Sequence, residues 1–164
     1  MEITNLGEIL SLDTAIAKRE AMRWAKQTLV FTNGHFDLLH VGHLDYLEKA
    51  AALGSVLFLG LNGDVSSALL KGTGRPIVPA EERARLLAAL IPVTAVIIFN
   101  ENTAVGLINA LRPEIYVKGG DYAQPGKVLP ERAIVEGYGG RVELIDYLPN
   151  HSTSALIAKI KTLP

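Results

Sequence analysis

The sequence contains no cysteine, which excludes disulfides, thiolate metal sites and a cysteine nucleophile. Any metal would have to be held by oxygen or imidazole. Charge of one sign is also lacking: Lys and Arg number 16 against 17 Asp and Glu, a net charge of −1. No run of like charge stands out, which argues against a nucleic-acid groove or a face drawn to an anionic membrane. Apolar runs fall short of the ~20 residues that span a bilayer. The opening residues MEITNLGEIL lack the basic-then-apolar order of a secretory signal. A cytoplasmic protein with small-molecule partners, no nucleic acid and no membrane is the expectation.

What is present suffices for one core. A chain of 164 residues fits a single domain over 1–164, and a domain of that size buries roughly 70% of its unfolded surface. Residues 7–27 mix apolar and charged positions at helical spacing, with a break near Ser11 to Asp13, so 1–27 reads as an N-terminal helical cover. That apolar helix and a hydrophobic fraction of 49% make a homodimer an expectation.

Short β-branched runs then alternate with helical ones. Strands are expected at 28–32, 55–61, 94–99, 114–117 and 141–145, and helices at 41–53, 64–70, 80–91, 102–111, 129–137 and 153–162. Such alternation means β-α-β units, hence an α/β, Rossmann-like, doubly wound, mostly parallel five-stranded sheet with helices on both faces. In these folds ligands bind beyond the carboxyl ends of the strands. The chemically distinctive stretches follow strands: 33–43, 62–64, 100–102, 118–122 and 146–154. Two loops rich in glycine and proline, 71–79 and 118–130, read as functional.

The stretch from Phe31 to Leu44 carries the chemistry. Gly34 lets backbone approach a phosphate, and a helix starting near Val41 offers free N–H groups and a positive dipole end to the same anion. His40 and His43, three apart around Gly42, share a helix face. Two imidazoles there can donate to a phosphorus centre as charge grows during in-line attack. The plainer alternative is one histidine as a helix cap and the other as a satisfied, half-buried residue.

Gly34-His35-Phe36-Asp37-Leu38-Leu39-His40-Val41-Gly42-His43 resembles the G-x-F-D-x-x-H-x-G-H signature of the cytidylyltransferase-like nucleotidyltransferase superfamily. The resemblance implies that His40 and His43 contact nucleotide phosphates and stabilise the transition state, with Mg²⁺ assisting and no protein metal cage. Lys71-Gly72-Thr73-Gly74-Arg75-Pro76 with the later Arg83, and Val117-Lys118-Gly119-Gly120-Asp121-Tyr122, are similar to segments of the heptose 1-phosphate adenylyltransferase branch. That branch forms the second domain of a bifunctional heptose kinase/adenylyltransferase. Lys71 would then act catalytically on the triphosphate, with Arg83 beside it, while Lys118 and Gly119 line the nucleotide. The plainer alternative for each lysine is an exposed loop residue. His151-Ser152-Thr153-Ser154 resembles the motif that closes the site of this superfamily. Its hydroxyls would face the β- and γ-phosphates, or only cap a helix.

Thr32, Asn33, Gly34, His35, Phe36, Gly42 and Asn62 complete the expected nucleotide contacts. Asp37, Asp64, Arg75, Gly120, Asp121 and Tyr122 are the expected substrate contacts. Asp37 has a turn-forming alternative and Asp64 a capping one. His35 stands where the heptose branch usually has cysteine, and Gly63 where a hydroxyl residue is frequent, so the resemblance is weaker for the acceptor than for the reaction. It implies AMP transfer from ATP to a sugar 1-phosphate supplied by a separate kinase. Transfer of CMP or AMP to another phosphorylated small molecule, and a non-catalytic nucleotide-binding module, remain the alternatives.

Overall fold

A computed structural model describes residues 6–164, so the first five residues of the expected N-terminal cover lie outside the described residues. Six strands form one sheet: β1 (Glu8–Ile9), β2 (Leu29–Gly34), β3 (Val56–Asn62), β4 (Ala95–Phe99), β5 (Ile115–Gly119) and β6 (Arg141–Ile145). Their order is β1-β4-β3-β2-β5-β6, and every neighbouring pair is parallel. Seven α-helices accompany them: α1 (Leu12–Trp24), α2 (Val41–Ala51), α3 (Asp64–Lys71), α4 (Ala80–Ala88), α5 (Val105–Leu111), α6 (Glu131–Gly137) and α7 (Thr153–Lys161). From β2 the chain steps outward to β3 and β4, then crosses back to β5 and β6. The direction of winding therefore reverses beside β2, where a crevice opens at the strand ends.

The central strands are apolar on both faces because both are covered. On one face Leu29, Phe31, Phe58, Ile97 and Tyr116 pack with residues of α1, α5 and α6, including Ala15, Ile108 and Val135. On the other, Val30, Leu57, Leu59, Leu61, Val96 and Val117 pack with Tyr46 and Leu47 of α2 and Ala84 and Leu87 of α4. Among the described residues no helix is long and apolar enough to cross a membrane.

The sheet has six strands rather than the expected five. Residues 7–27 read as helix, but Gly7 N–H donates to Ala88 O (2.7 Å) and Leu10 N–H to Val96 O (2.9 Å), which draws Glu8–Ile9 into an edge strand beside β4. The break near Ser11 marks the change of element, since the Ser11 hydroxyl caps α1 by accepting from Thr14 N–H (3.2 Å). α1 is then fastened by Arg19, whose guanidinium donates to Leu111 O, Arg112 O and Glu114.

Candidate active site

The turn after β2 is strained. Phe36 (φ 46°) and Leu38 (φ 51°) both occupy the left-handed region, at about 1 kcal/mol or more each for side chains of this kind. Asp37, between them, offsets that cost. It is only 2% exposed; Oδ2 accepts from Arg75 Nε and Ile77 N–H (both 2.8 Å) and Oδ1 from Val78 N–H (3.0 Å). Its main-chain oxygen accepts from Thr153 Oγ1 at 2.7 Å. Burial pushes the carboxyl up, but the two amides and Arg75 outweigh it and hold it below the usual carboxylate range. Asp37 is thus a junction tying the 71–79 loop and the start of α7 to the turn. Asp37 lines the cavity, but with three hydrogen bonds accepted inside the protein its geometry matches the turn-forming alternative more than a substrate contact.

Beyond the turn, His40 caps α2. Gly42 N–H donates to His40 Nδ1 (3.1 Å), and His40 N–H donates to His43 Nδ1 (3.4 Å). A ring nitrogen that accepts carries no proton, so both imidazoles hold theirs on Nε2. The rings stack with centroids 3.9 Å apart. Burial, with His40 alongside, pushes His43 down to about 4 against the opposing charge of Asp37. Burial, with His151 nearby, lowers His40 as well. Both are neutral donors near pH 7. His40 Nε2 is enclosed and has no hydrogen-bond partner, an unmet need that costs roughly 1–3 kcal/mol until a ligand serves it. Gly42 leaves the room: a Cβ there would stand 3.0 Å from the His40 ring and 2.9 Å from His151 Cβ.

Cations gather on the same side. Burial, then Lys71, Arg83, Lys118 and Arg75, push His35 down to about 4, and its Nδ1 pairs with Ser67 Oγ at 2.9 Å. Lys118 donates from Nζ to Asn33 O (3.2 Å) and lies 5.2 Å from the centre of the Tyr122 ring. Burial pushes its pKa down, and Glu131 and Asp121 counter that. Gly119 admits Tyr147: a Cβ would sit 1.8 Å from the tyrosine oxygen, which donates to Asp121 Oδ1 at 3.1 Å. The other Asp121 oxygen pairs with Lys127 (2.7 Å). Asp121 is therefore largely spent within the protein.

A cavity of about 790 Å³ opens over these groups. It brings together Asn33, Gly34, His35, Phe36, His40, Gly42, His43, Asn62 and, from the loops, Lys71, Arg75, Lys118, Gly119 and Tyr122, with Ser152, Thr153 and Ser154 at its far wall. The Ser152 hydroxyl caps α7 by accepting from Ala155 N–H (3.1 Å).

Four expected contacts stand elsewhere. Arg83 is 1% exposed; it donates to Val78 O, His35 O and Asn62 O and pairs with Asp64, so it braces main chain instead of meeting a phosphate. Asp64 points into that brace and accepts from Ala80 N–H (2.8 Å). The Thr32 hydroxyl is buried between Tyr46 OH (2.8 Å) and Val117 O (3.0 Å). Gly120 packs against Asp146, whose Oδ1 would meet its Cβ at 2.4 Å. Sequence reasoning singled out none of Tyr46, Thr103, Glu131 and Tyr147, all of which line the cavity, as does His151 at the head of the site-closing motif. The rule that sites follow strands pointed to 100–102, and of these Asn102 reaches it.

A cytidylyltransferase-like family model matches residues 31–157, most of the chain and every element around the cavity. The chain belongs to this family. It is a nucleotidyltransferase. Over 158 residues it is 48% identical to the bifunctional protein HldE of Syntrophotalea carbinolica, covering 92% of this chain and 32% of that one. The HldE of Citrifermentans bemidjiense is 51% identical over 157 residues, 94% of this chain and 31% of the relative. The chain thus spans about a third of the length of the curated relatives it matches. Among solved structures, the lipopolysaccharide core biosynthesis protein from Thermoplasma volcanium superposes with a TM-score of 0.60 at 26% identity, covering 74% of this chain and 97% of that one.

Proposed function

We propose that this nucleotidyltransferase transfers AMP from ATP to a sugar 1-phosphate, of the D-glycero-D-manno-heptose type, forming a nucleotide-activated sugar and releasing pyrophosphate. The observation that carries the reading is the stacked pair His40 and His43, which line the cavity as neutral rings with their protons on Nε2. An oxygen of the acceptor phosphate attacks the α-phosphorus, a new P–O bond forms, and the bond to the β-phosphate oxygen breaks. The attacking oxygen is already ionised at neutral pH, so no general base is needed. Both histidines donate to the α-phosphate oxygens as charge accumulates there, a stabilisation that needs no reorganisation at the moment of reaction. Lys71 and Arg75 meet the departing pyrophosphate, the Ser152 to Ser154 segment its γ end, and Lys118 the acceptor phosphate.

Mg²⁺ fits this site as a companion of the triphosphate. Among the described residues no cluster of three or more His, Cys, Asp or Glu side chains could cage it, and a hard cation is well served by phosphate oxygens and water. When bound it supplies charge neutralisation.

Incubation with ATP, Mg²⁺ and the heptose 1-phosphate is expected to yield pyrophosphate and the nucleotide sugar. Turnover of CTP with glycerol 3-phosphate, and none with the sugar, would overturn the proposal. Nucleotide binding without pyrophosphate release from any acceptor would favour a non-catalytic module.

A further inference from the structure

The cavity has a second wall, toward the sheet face that α5 and α6 cover, built from Asn33, Lys118, the Asn102–Thr103 corner before α5 and the start of α6. Glu131, the first residue of α6, is 4% exposed and lines this wall. Its Oε1 accepts from Ala104 N–H at 3.1 Å, so the carboxylate is gripped between the starts of two helices. Oε2 has no partner among the described residues, and it is not one of the fully enclosed unpartnered atoms. Glu131 lines the cavity with this oxygen unpaired and not fully enclosed.

A carboxylate is a poor neighbour for a triphosphate, because like charges repel and the cost rises as water is excluded. It is a strong acceptor for neutral hydroxyls, with charge-assisted bonds roughly twice as strong as neutral ones. The groups beside it suit the same ligand. Tyr116 OH donates to Asn33 Oδ1 at 2.6 Å, which orients the Asn33 amide so that its NH₂ remains a donor, and Asn102 and Thr103 add further polar groups. An acceptor, a donor and a hydroxyl around one corner, next to a lysine for phosphate, match a phosphorylated polyol ring.

We infer that Glu131 determines acceptor specificity by accepting hydrogen bonds from ring hydroxyls of the sugar phosphate. The inference rests on the sugar 1-phosphate reading above.

Glu131→Gln tests it, since an amide oxygen can still accept from Ala104 N–H while NH₂ replaces Oε2. The variant is expected to keep the wild-type thermal midpoint and the KM for ATP within about two-fold, while the KM for the sugar phosphate rises about ten-fold or more. Deoxy analogues of the acceptor sugar should locate the hydroxyl. One of them should lose affinity against wild type and lose little further against Glu131→Gln. An unchanged acceptor KM in a stable, active Glu131→Gln enzyme overturns the inference and leaves the sugar reading intact. Equal losses for ATP and acceptor also overturn it. Wild-type enzyme that uses only non-sugar phosphates overturns the sugar reading, and this inference falls with it.

Discussion

Asp37 and Glu131 are buried acids at opposite walls of one cavity, 2% and 4% exposed, and they differ in how their oxygens are used. Asp37 takes two amides and a guanidinium, so that both of its oxygens are engaged inside the protein. Glu131 takes one amide and keeps an oxygen open. A buried charge with all its partners inside the protein fixes the architecture, and one with a single partner is prepared for something from outside. The same contrast separates the cations: Arg83 is fully engaged with carbonyls and Asp64, whereas Lys71 is exposed at the cavity edge.

The comparison can be broken most sharply at the reacting wall. His43→Ala should lower kcat by ~10²-fold or more with little change in the acceptor KM, the reverse of the pattern expected for Glu131→Gln. Steady-state kinetics decide it, and a kcat within three-fold of wild type, to order of magnitude, would remove His43 from the chemistry. Next in size is Asp37→Ala, which strands three donors and frees a strained turn. It should cost about 2–4 kcal/mol of stability, read from the urea midpoint. A loss under about 0.5 kcal/mol, the usual range for an indifferent surface site, would mean the latch is idle.

A third break is the pH response. His35 and His43 are held near 4, against 6.5 when unperturbed, chiefly by burial. In this window the unfolded chain binds more protons than the native one. Stability is thus fully present above about 6.5 and declines as pH falls toward about 4, where Asp37, held below its ordinary range, adds to the loss. The thermal midpoint should drop by several degrees from pH 7 to pH 4.5, and less in His35→Asn. A flat or rising midpoint would contradict the buried, neutral state of the two rings.

Much of the fold was legible because strands buried on both faces read as apolar runs, and the helices between them carry their own period. β1 was hidden because two residues leave no periodicity, and its pairing with Ala95 and Val96 is a tertiary event. Within the site, residues in a contiguous motif could be found by spacing: His40, Gly42, His43, Lys118 and Ser152 all reach the cavity. For Asp37 the sequence left a substrate role and a turn-forming one open, because the partners that distinguish them lie 38 to 41 residues downstream, and one 116 residues away. Arg83 was expected beside the triphosphate, and only the fold reveals the carbonyls around it. Glu131 follows a proline at a helix start, where an acid is ordinary, so nothing local distinguished it.

None of the residues of α7 is fully buried, and its firmest long-range attachment is Thr153 Oγ1 on the main-chain oxygen of Asp37. The helix is seated by the pocket more than by the core. On a chain emerging in order, the sheet can close while the far wall of the pocket is still unmade, so competence to bind comes after competence to fold. A nucleotide held against that wall, as proposed above, would favour the docking of α7, and docked α7 would favour the nucleotide.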